Sequence, residues 1–398
     1  MIRAIVKFTG YLCCYLIYPI SYLFPRTDKI LVFGSYRGAF NDNSKYLFLY
    51  ANEHLPNRRS IWLSPNKETV EHVRRSGYRA YTIYSPKGIY YALRSKYWFV
   101  NAYTSDILFC LAGRAAVVNL WHGVPMKAIE FGITQGDLAK RYVERKPMEV
   151  FFHPACFRRP DYMVSTTSFF DDVFSKSFRI SKKQCLHTGC PRNRMLQISR
   201  DDVLQFVQRY EDSTTQQLVR SLSQYNQVFV YMPTWRDSQL DCFAYGFDFQ
   251  KLNDCLRNIN ACMLMKPHAN TKISNTTQYD HLLFLGGNVD MYCILPFTDV
   301  LITDYSSILY DYLLMPEKRV ILFHYDYDEY VKSREFIFPI QEHIAGKRVY
   351  SFEELKETIL RGDYAIDEKE RSDILQMFWG DTLTKNPCKE VFSLLHLS

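Results

Sequence analysis

DVLITDYSS (299–307) passes from an apolar run straight into Asp304 and two serines, and SILYDYLL continues from there at helical spacing. A short apolar run closed by polar turn residues reads as a strand buried on both faces, the kind a parallel sheet uses. The same phrase recurs around it in QVFVYMPTWRD (227–237), ACMLMKPHAN (261–270), HLLFLGGN (281–288) and RVILFHYD (319–326). Nearer the N-terminus it recurs in KILVFGS (29–35), SIWLS (60–64), YRAYTI (78–83), KYWFVNA (96–102) and AVVNLWHG (116–123). NSKYLFLYANEH (43–54) and KETVEHVRRSG (67–77) read as helices between them, the second closed by Gly77, and DYMVSTTSFFDDVF (161–174) is a further strand–helix unit. Short apolar strands alternating with helices predict an α/β fold with parallel sheets. A polar helical stretch (201–223) separates the two series. The expected organisation is therefore a segment 1–25, a domain 26–200 and a domain 201–398.

The composition agrees with two ordinary domains. The 398 residues are 47% apolar and 16% aromatic, with 30 Tyr and 28 Phe, enough for each half to bury its own core. The net charge of +7 is spread along the chain without a basic tail. Such a charge suits phosphates or acidic headgroups and argues against nucleic acid as a partner. The 11 cysteines are odd in number and lack CxxC or CxxH spacing, so they read as reduced, small apolar residues rather than a disulfide framework or a metal site.

FTGYLCCYLIYPISYLFP (8–25) carries no charge and is flanked by Arg3, Lys7 and Arg26. No small-residue cleavage site follows it. Four tyrosines and Pro19 make it marginal as a membrane span, whereas tyrosines with basic flanks suit an anionic membrane surface. An interfacial anchor is the expectation; a span and a buried core helix are the alternatives.

In open α/β sheets ligands bind beyond the carboxyl ends of the strands, and polar residues gather there. NLWHGVPMKAIEFG (119–132) puts His122 at a strand exit with Lys127 five residues on; an imidazole there suits general-base work, or simple packing of the loop. YMPTWRD (231–237) offers Thr234, Arg236 and Asp237, where the arginine can grip phosphate or pair with the aspartate. KPHAN (266–270) offers Lys266 as a point charge and His268 as a proton donor or acceptor. In TDYSSILYDYLL (303–314), Asp304 ends a strand and Ser306 and Ser307 open a helix, either as a pyrophosphate site or as a plain N-cap. TGCPRNR (188–194) brings Arg192 and Arg194, which can steer an anion or cap a cleft. GxGxxG and P-loop motifs do not occur, so a leaving diphosphate would be met by cationic side chains and a helix dipole.

Together and in this order, the motifs resemble those of the CDP-glycerol glycerophosphotransferase family of teichoic-acid primases and polymerases, which also serves capsule synthesis. HGVPMK is similar to the family's HGxPxK, CPRN to its GxPRxD, YMPTWRD to its YxPTWRD, KPHAN to its K/R-x-H element and LITDYSSILYDY to its LITDYSSxxxDY. The resemblance covers about residues 30–340. It implies a GT-B-like fold of two Rossmann-like domains facing across a cleft, peripheral or monotopic attachment at the cytoplasmic face of the membrane, and no cofactor. It also implies transfer of a polyol phosphate, foremost glycerol phosphate, from a CDP-activated donor to a lipid-linked or polymeric acceptor, with release of CMP. His122 maps to the catalytic base, with His268 as a second catalytic candidate. Arg236, His268, Ser306 and Ser307 map to the donor phosphates, joined by Lys266, Asp304 and Arg192, while Thr234, Asp237, Lys127 and Asp311 flank them. Asn193 departs from the family's aspartate. A nucleotide-sugar transferase of the same architecture is the alternative function.

Overall fold

The computed structural model describes residues 2–397 apart from 235–246, 267–277, 287–288 and 334, with the backbone alone at 2–4, 331 and 333. The chain divides into two compact units: Met1–Val124, Ala128–Arg194 and Trp379–Ser398 form one, and Pro125–Lys127 with Met195–Phe378 the other. The domains expected at 26–200 and 201–398 therefore need redrawing. The divide falls at Arg194/Met195, and the last segment returns to the first unit. Buried Val391 and Phe392 draw it there, with the Phe392 ring 5.6 Å from Phe99 and 6.1 Å from Tyr50.

The first unit holds seven strands: β1 (Thr27–Phe33), β2 (Arg59–Ser64), β3 (Ala80–Thr82), β4 (Ser95–Val100), β5 (Ala116–Asn119), β6 (Tyr162–Ser165) and β7 (Cys185–His187). Their order is β3-β2-β1-β4-β5-β6-β7, and every pairing is parallel. The second unit holds β8 (Gln227–Tyr231), β9 (Ala261–Met265), β10 (Leu282–Phe284), β11 (Val300–Thr303), β12 (Arg319–Phe323) and β13 (Lys347–Val349). These are also all parallel, in the order β10-β9-β8-β11-β12-β13. Two edge strands have no counterpart in the sequence reading: β7, Cys-Leu-His, and β13, Lys-Arg-Val, each three residues long with too little apolar pattern to stand out.

The central strands are apolar over their buried lengths, as strands covered on both faces are. Ile30–Phe33 of β1 and the whole of β9 are buried. Val32, Ile61, Leu63, Trp98 and Val117 anchor one core, and Phe229, Leu256, Met263, Ile302 and Ile321 the other. Each such side chain contributes about 1.5–3 kcal/mol on burial. α1 spans Ile2–Ile20, α2 Asp42–His54, α3 Lys67–Arg75 and α4 Pro86–Arg94. The Asn66 side chain caps α3 by accepting the Glu68 N–H. The polar stretch 201–223 resolves into two helices, Arg200–Tyr210 and Ser213–Ser221, capped by Ser199 and Asp212.

α1 lies against the first unit through its tyrosines. Tyr18 stacks on Phe109 at 4.6 Å and Tyr15 on Phe151 at 5.3 Å. The opposite side exposes Ile5, Leu12, Leu16, Ile17 and Ile20, and Leu23 is exposed just beyond it. Among the described residues no helix is long and apolar enough to cross a membrane. Arg26, expected as a basic flank, is half-buried and donates to four backbone carbonyls, those of Gly113, Ala92, Ser95 and Leu111, at 2.6–2.8 Å. It fixes where the chain enters β1 rather than reaching a lipid.

In both sheets the strand order reverses beside the first strand, between β1 and β4 and between β8 and β11. Reversal splays the connections apart and leaves a crevice at the carboxyl ends. That is where the site residues sit.

Candidate active site

In the first unit the chain leaves β5 through Asn119, Leu120 and Trp121 and arrives at His122. Trp121 takes a left-handed backbone, φ 51°, a conformation that costs of order 1–3 kcal/mol for a side chain of this kind. Buried amides hold it there. The Trp121 N–H donates to Asn119 Oδ1 at 2.9 Å, and Asn43 Nδ2 donates to the Trp121 carbonyl at 2.8 Å. Asn119 Nδ2 donates to the Ala102 carbonyl at 2.7 Å, tying β5 to the exit of β4. Gly123 follows at φ 121°, a backbone that only glycine adopts without strain.

A third buried asparagine fixes the wall that His122 faces. Asn101 Oδ1 accepts from the Ser44 backbone and hydroxyl at 3.0 and 2.9 Å, and Asn101 Nδ2 donates to Ser35 Oγ at 2.8 Å, joining the exits of β4 and β1. Asp106 Oδ2 accepts the backbone N–H groups of Asn101 and Ala102 at 2.9 and 2.8 Å. Burial pushes the Asp106 carboxyl up to about 7, with those bonds pulling the other way. The Asn101 carbonyl thus held stands 3.5 Å from His122 Nδ1. A proton on Nδ1 facing that carbonyl leaves Nε2 with its lone pair.

Crowding by the surrounding protein pushes the His122 pKa below its ordinary value; the Asp42 carboxylate opposes this and the Arg192 guanidinium adds to it. The ring itself remains open to solvent, so the depression is smaller than full burial would give. Asp42 has φ 59° and accepts Arg192 Nη1 at 2.8 Å. The Arg192 N–H donates to Asn43 Oδ1 at 3.0 Å. The lowered pKa favours the neutral imidazole at pH 7, and among the described residues Nε2 has no hydrogen-bond partner.

In the second unit Asp304 leaves β11 as a buried carboxylate. Its Oδ1 accepts the Thr234 N–H and hydroxyl, at 2.8 and 2.6 Å, and the Tyr305 N–H at 2.6 Å. The exits of β8 and β11 are joined in this way, as Asn101 and Ser35 join those of β4 and β1. Ser306 and Ser307 follow, half-buried, ahead of a five-residue helix, Ile308–Tyr312. The Ser307 side chain makes no capping bond. Tyr305 lies fully buried in an aromatic stack, 4.2 Å from Tyr330 and 4.9 Å from His324. Lys127 Nζ donates to Tyr330 Oη at 2.5 Å and stands over that ring at 5.0 Å.

The expected residues sort differently from their motifs. His122 stands at its strand exit. Lys127 belongs to the second unit, because Met126 and Lys127 add an antiparallel bridge to Phe336 and Ile337. Asp304 Oδ1 accepts from the Thr234 backbone and hydroxyl, so the pair shapes the serine loop. Asp311 is buried and accepts the Tyr292 hydroxyl, a structural role. Arg192 lies in the first unit, only 6% exposed, and pairs with Asp42. Lys266 donates to the carbonyls of Gly286 and Val289 at 2.6 and 3.1 Å, and burial lowers its pKa to about 8; it ties loops together rather than offering a free charge. Arg236, Asp237 and His268 lie outside the described residues.

Sequence reasoning missed Asn43, Asn101, Asn119, Asp42 and His324. An asparagine closing each of the two apolar strands 96–102 and 116–123 was the available signal. His324, at the exit of β12, is buried, and among the described residues neither ring nitrogen has a hydrogen-bond partner; within RVILFHYD it read as part of a strand.

The family model for CDP-glycerol:poly(glycerophosphate) glycerophosphotransferases matches residues 16–378. The chain is 27% identical to a teichoic acid glycerol-phosphate transferase of Staphylococcus aureus, over 80% of each protein. It is 26% identical to a teichoic acid poly(glycerol phosphate) polymerase of Staphylococcus epidermidis, over 80% of this chain but 43% of that protein, so it spans less than half of that polymerase. The fold is similar to the solved wall teichoic acid polymerase TagF, with a TM-score of 0.74 at 20% identity over 100% of this chain and 98% of that one. It is more distantly similar to a putative UDP-N-acetylglucosamine 2-epimerase of Listeria monocytogenes, at a TM-score of 0.52 and 11% identity over 92% and 96% of the two chains. Fold alone thus spans unrelated chemistries, whereas the family match runs through both units and every motif read above: the chain is a member of the CDP-glycerol:poly(glycerophosphate) glycerophosphotransferase family.

Proposed function

We propose that this transferase moves glycerol phosphate from CDP-glycerol to the terminal hydroxyl of a glycerol-phosphate chain, with His122 as the general base. The observation that carries the reading is the fixed, neutral imidazole with Nε2 free at the exit of β5. The acceptor oxygen bonds to the β-phosphorus as the bridging P–O bond breaks, its proton passes to Nε2, and CMP leaves with the bond electrons. Such a base contributes about 10²–10⁴-fold to the rate; positioning and charge neutralisation supply most of the rest.

The second unit takes the donor. Ser306 and Ser307 are its described candidates for the diphosphate, with Arg236 and His268 proposed beside them on the strength of their motifs. Asp304, Thr234 and the Tyr305–Tyr330–Lys127 stack hold that loop in shape.

The exposed apolar side of α1, with Lys7 and the basic segment 140–159 in the same unit, supports peripheral attachment to an anionic membrane surface on the nucleotide-bearing, cytoplasmic side. Leu16→Glu with Ile20→Glu then lowers co-sedimentation with phosphatidylglycerol vesicles; unchanged sedimentation refutes the attachment.

The chemistry is tested by incubating the purified chain with CDP-glycerol, CDP-ribitol and a panel of nucleotide sugars beside a glycerol-phosphate oligomer. Release of CMP with elongation of the oligomer is expected. Turnover of a nucleotide sugar without CMP release refutes the assignment.

A further inference from the structure

At the edge of the first unit's sheet, beyond β3, a groove of about 570 Å³ is lined by Lys67, Arg74, Tyr81, Thr82, Ser85 and Lys87. Tyr81 forms its aromatic wall. The Arg74 guanidinium stands 5.2 Å and the Lys87 ammonium 5.8 Å from the ring centre, and Arg79 acts electrostatically on the same hydroxyl. Among the described residues none of these four cations has an acidic partner at ion-pair distance, and Glu71, the groove's acid, pairs with Arg75 at 3.5 Å. Gly88 lets α4 close on the strand: a Cβ there would lie 2.1 Å from the Thr82 carbonyl oxygen. The result is a concave surface on which three basic side chains, Lys67, Arg74 and Lys87, outnumber the one acid, Glu71.

Its position matters as much as its charge. β3 and β5 are parallel strands of one sheet, four places apart in the order, so their carboxyl ends lie about 19 Å from each other at ~4.8 Å per strand. A glycerol-phosphate repeat has six backbone bonds, twice those of an amino-acid residue, and so extends by about 7 Å. A chain whose terminal hydroxyl sits at His122 therefore brings a phosphodiester two to three repeats back to the groove.

We propose that the Lys67–Arg74–Lys87 groove is an acceptor subsite that binds a phosphodiester of the growing polymer two to three units behind the reacting end. The proposal rests on the transfer reading above. It gives the enzyme a preference for acceptors long enough to reach the groove.

The test uses the full chain and its Lys67→Ala/Arg74→Ala/Lys87→Ala variant with synthetic glycerol-phosphate oligomers of one to six units at saturating CDP-glycerol. For the unaltered chain KM falls with length up to about three or four units and then levels. In the variant KM for the six-unit acceptor rises about tenfold, the combined effect of three exposed charge pairs, while kcat and KM for the one-unit acceptor stay as they were. Retained length dependence, or an equal KM rise at every length, overturns the subsite. Calorimetry of the six-unit oligomer without donor reads the groove independently of turnover. Affinity lost in the variant supports the subsite even if no transfer is seen, in which case the transfer reading alone fails; unchanged affinity overturns it. Weaker binding to phosphatidylglycerol vesicles with unchanged length dependence assigns the groove to lipid headgroups and also overturns it.

Discussion

The exits of β1 and β4 in the first unit and of β8 and β11 in the second occupy equivalent places in two similar sheets, yet they are built differently. In the first, uncharged amides do the holding. Asn43, Asn101 and Asn119 satisfy strained backbone around His122, and the charged pair Asp42–Arg192 stands behind it. In the second, a buried carboxylate and an aromatic stack do it, Asp304 on Thr234 and Tyr305 between Tyr330 and His324. A general base must keep one orientation and one protonation state, and amides fix orientation without adding charge that would shift a pKa. A loop that receives a diphosphate needs shape and open donors, and its own carboxylate must be turned inward.

That contrast can be broken at either end. The largest effect is expected from His122→Ala, which lowers kcat by about 10²–10⁴-fold while leaving CDP-glycerol affinity unchanged by calorimetry. Loss of donor affinity in step with kcat would erase the division of labour. Asn43→Ala comes next. It leaves the Trp121 carbonyl and the Arg192 N–H buried without their partner, and should lower stability by about 2–4 kcal/mol in urea titration; a loss under 1 kcal/mol would show that the amide network does not hold the turn.

Ser306→Ala should weaken CDP-glycerol binding about two- to tenfold, the worth of one hydrogen bond, with kcat near that of the unaltered chain. Unchanged affinity would remove the serine from the donor site. The smallest effect is on pH. The acid limb of kcat/KM, where His122 gains its proton, should lie below pH 6.5 because its pKa is lowered. Asp42→Asn removes the carboxylate that opposes the lowering, so the limb should move to still lower pH. A move upward would contradict the electrostatics.

The sheets were legible in the sequence because apolar runs buried on both faces have few polar residues to blur them; eleven of the thirteen strands stand out this way, and the three-residue edge strands β7 and β13 do not. His122 was legible because a motif places it at a strand exit. The roles of Arg192, Lys266, Asp304 and Asp311 were not. Each is a charged residue in a phosphate-like setting, and only three-dimensional packing shows that its charge meets Asp42, two carbonyls, Thr234 or Tyr292 instead. The return of the C-terminal segment to the first unit was equally hidden, since the burial of Phe392 against Phe99 is a contact at long sequence separation.

The central claim is that His122 is presented neutral, with its proton on Nδ1 facing the Asn101 carbonyl and its lone pair on Nε2. Nitrogen-detected NMR of the histidine-labelled chain, with His122→Ala identifying the signal, measures this directly. A single Nδ1–H tautomer at pH 7.5, gaining its second proton only below pH 6.5, is the result the structure requires; an Nε2–H tautomer, or an imidazolium at that pH, would contradict it.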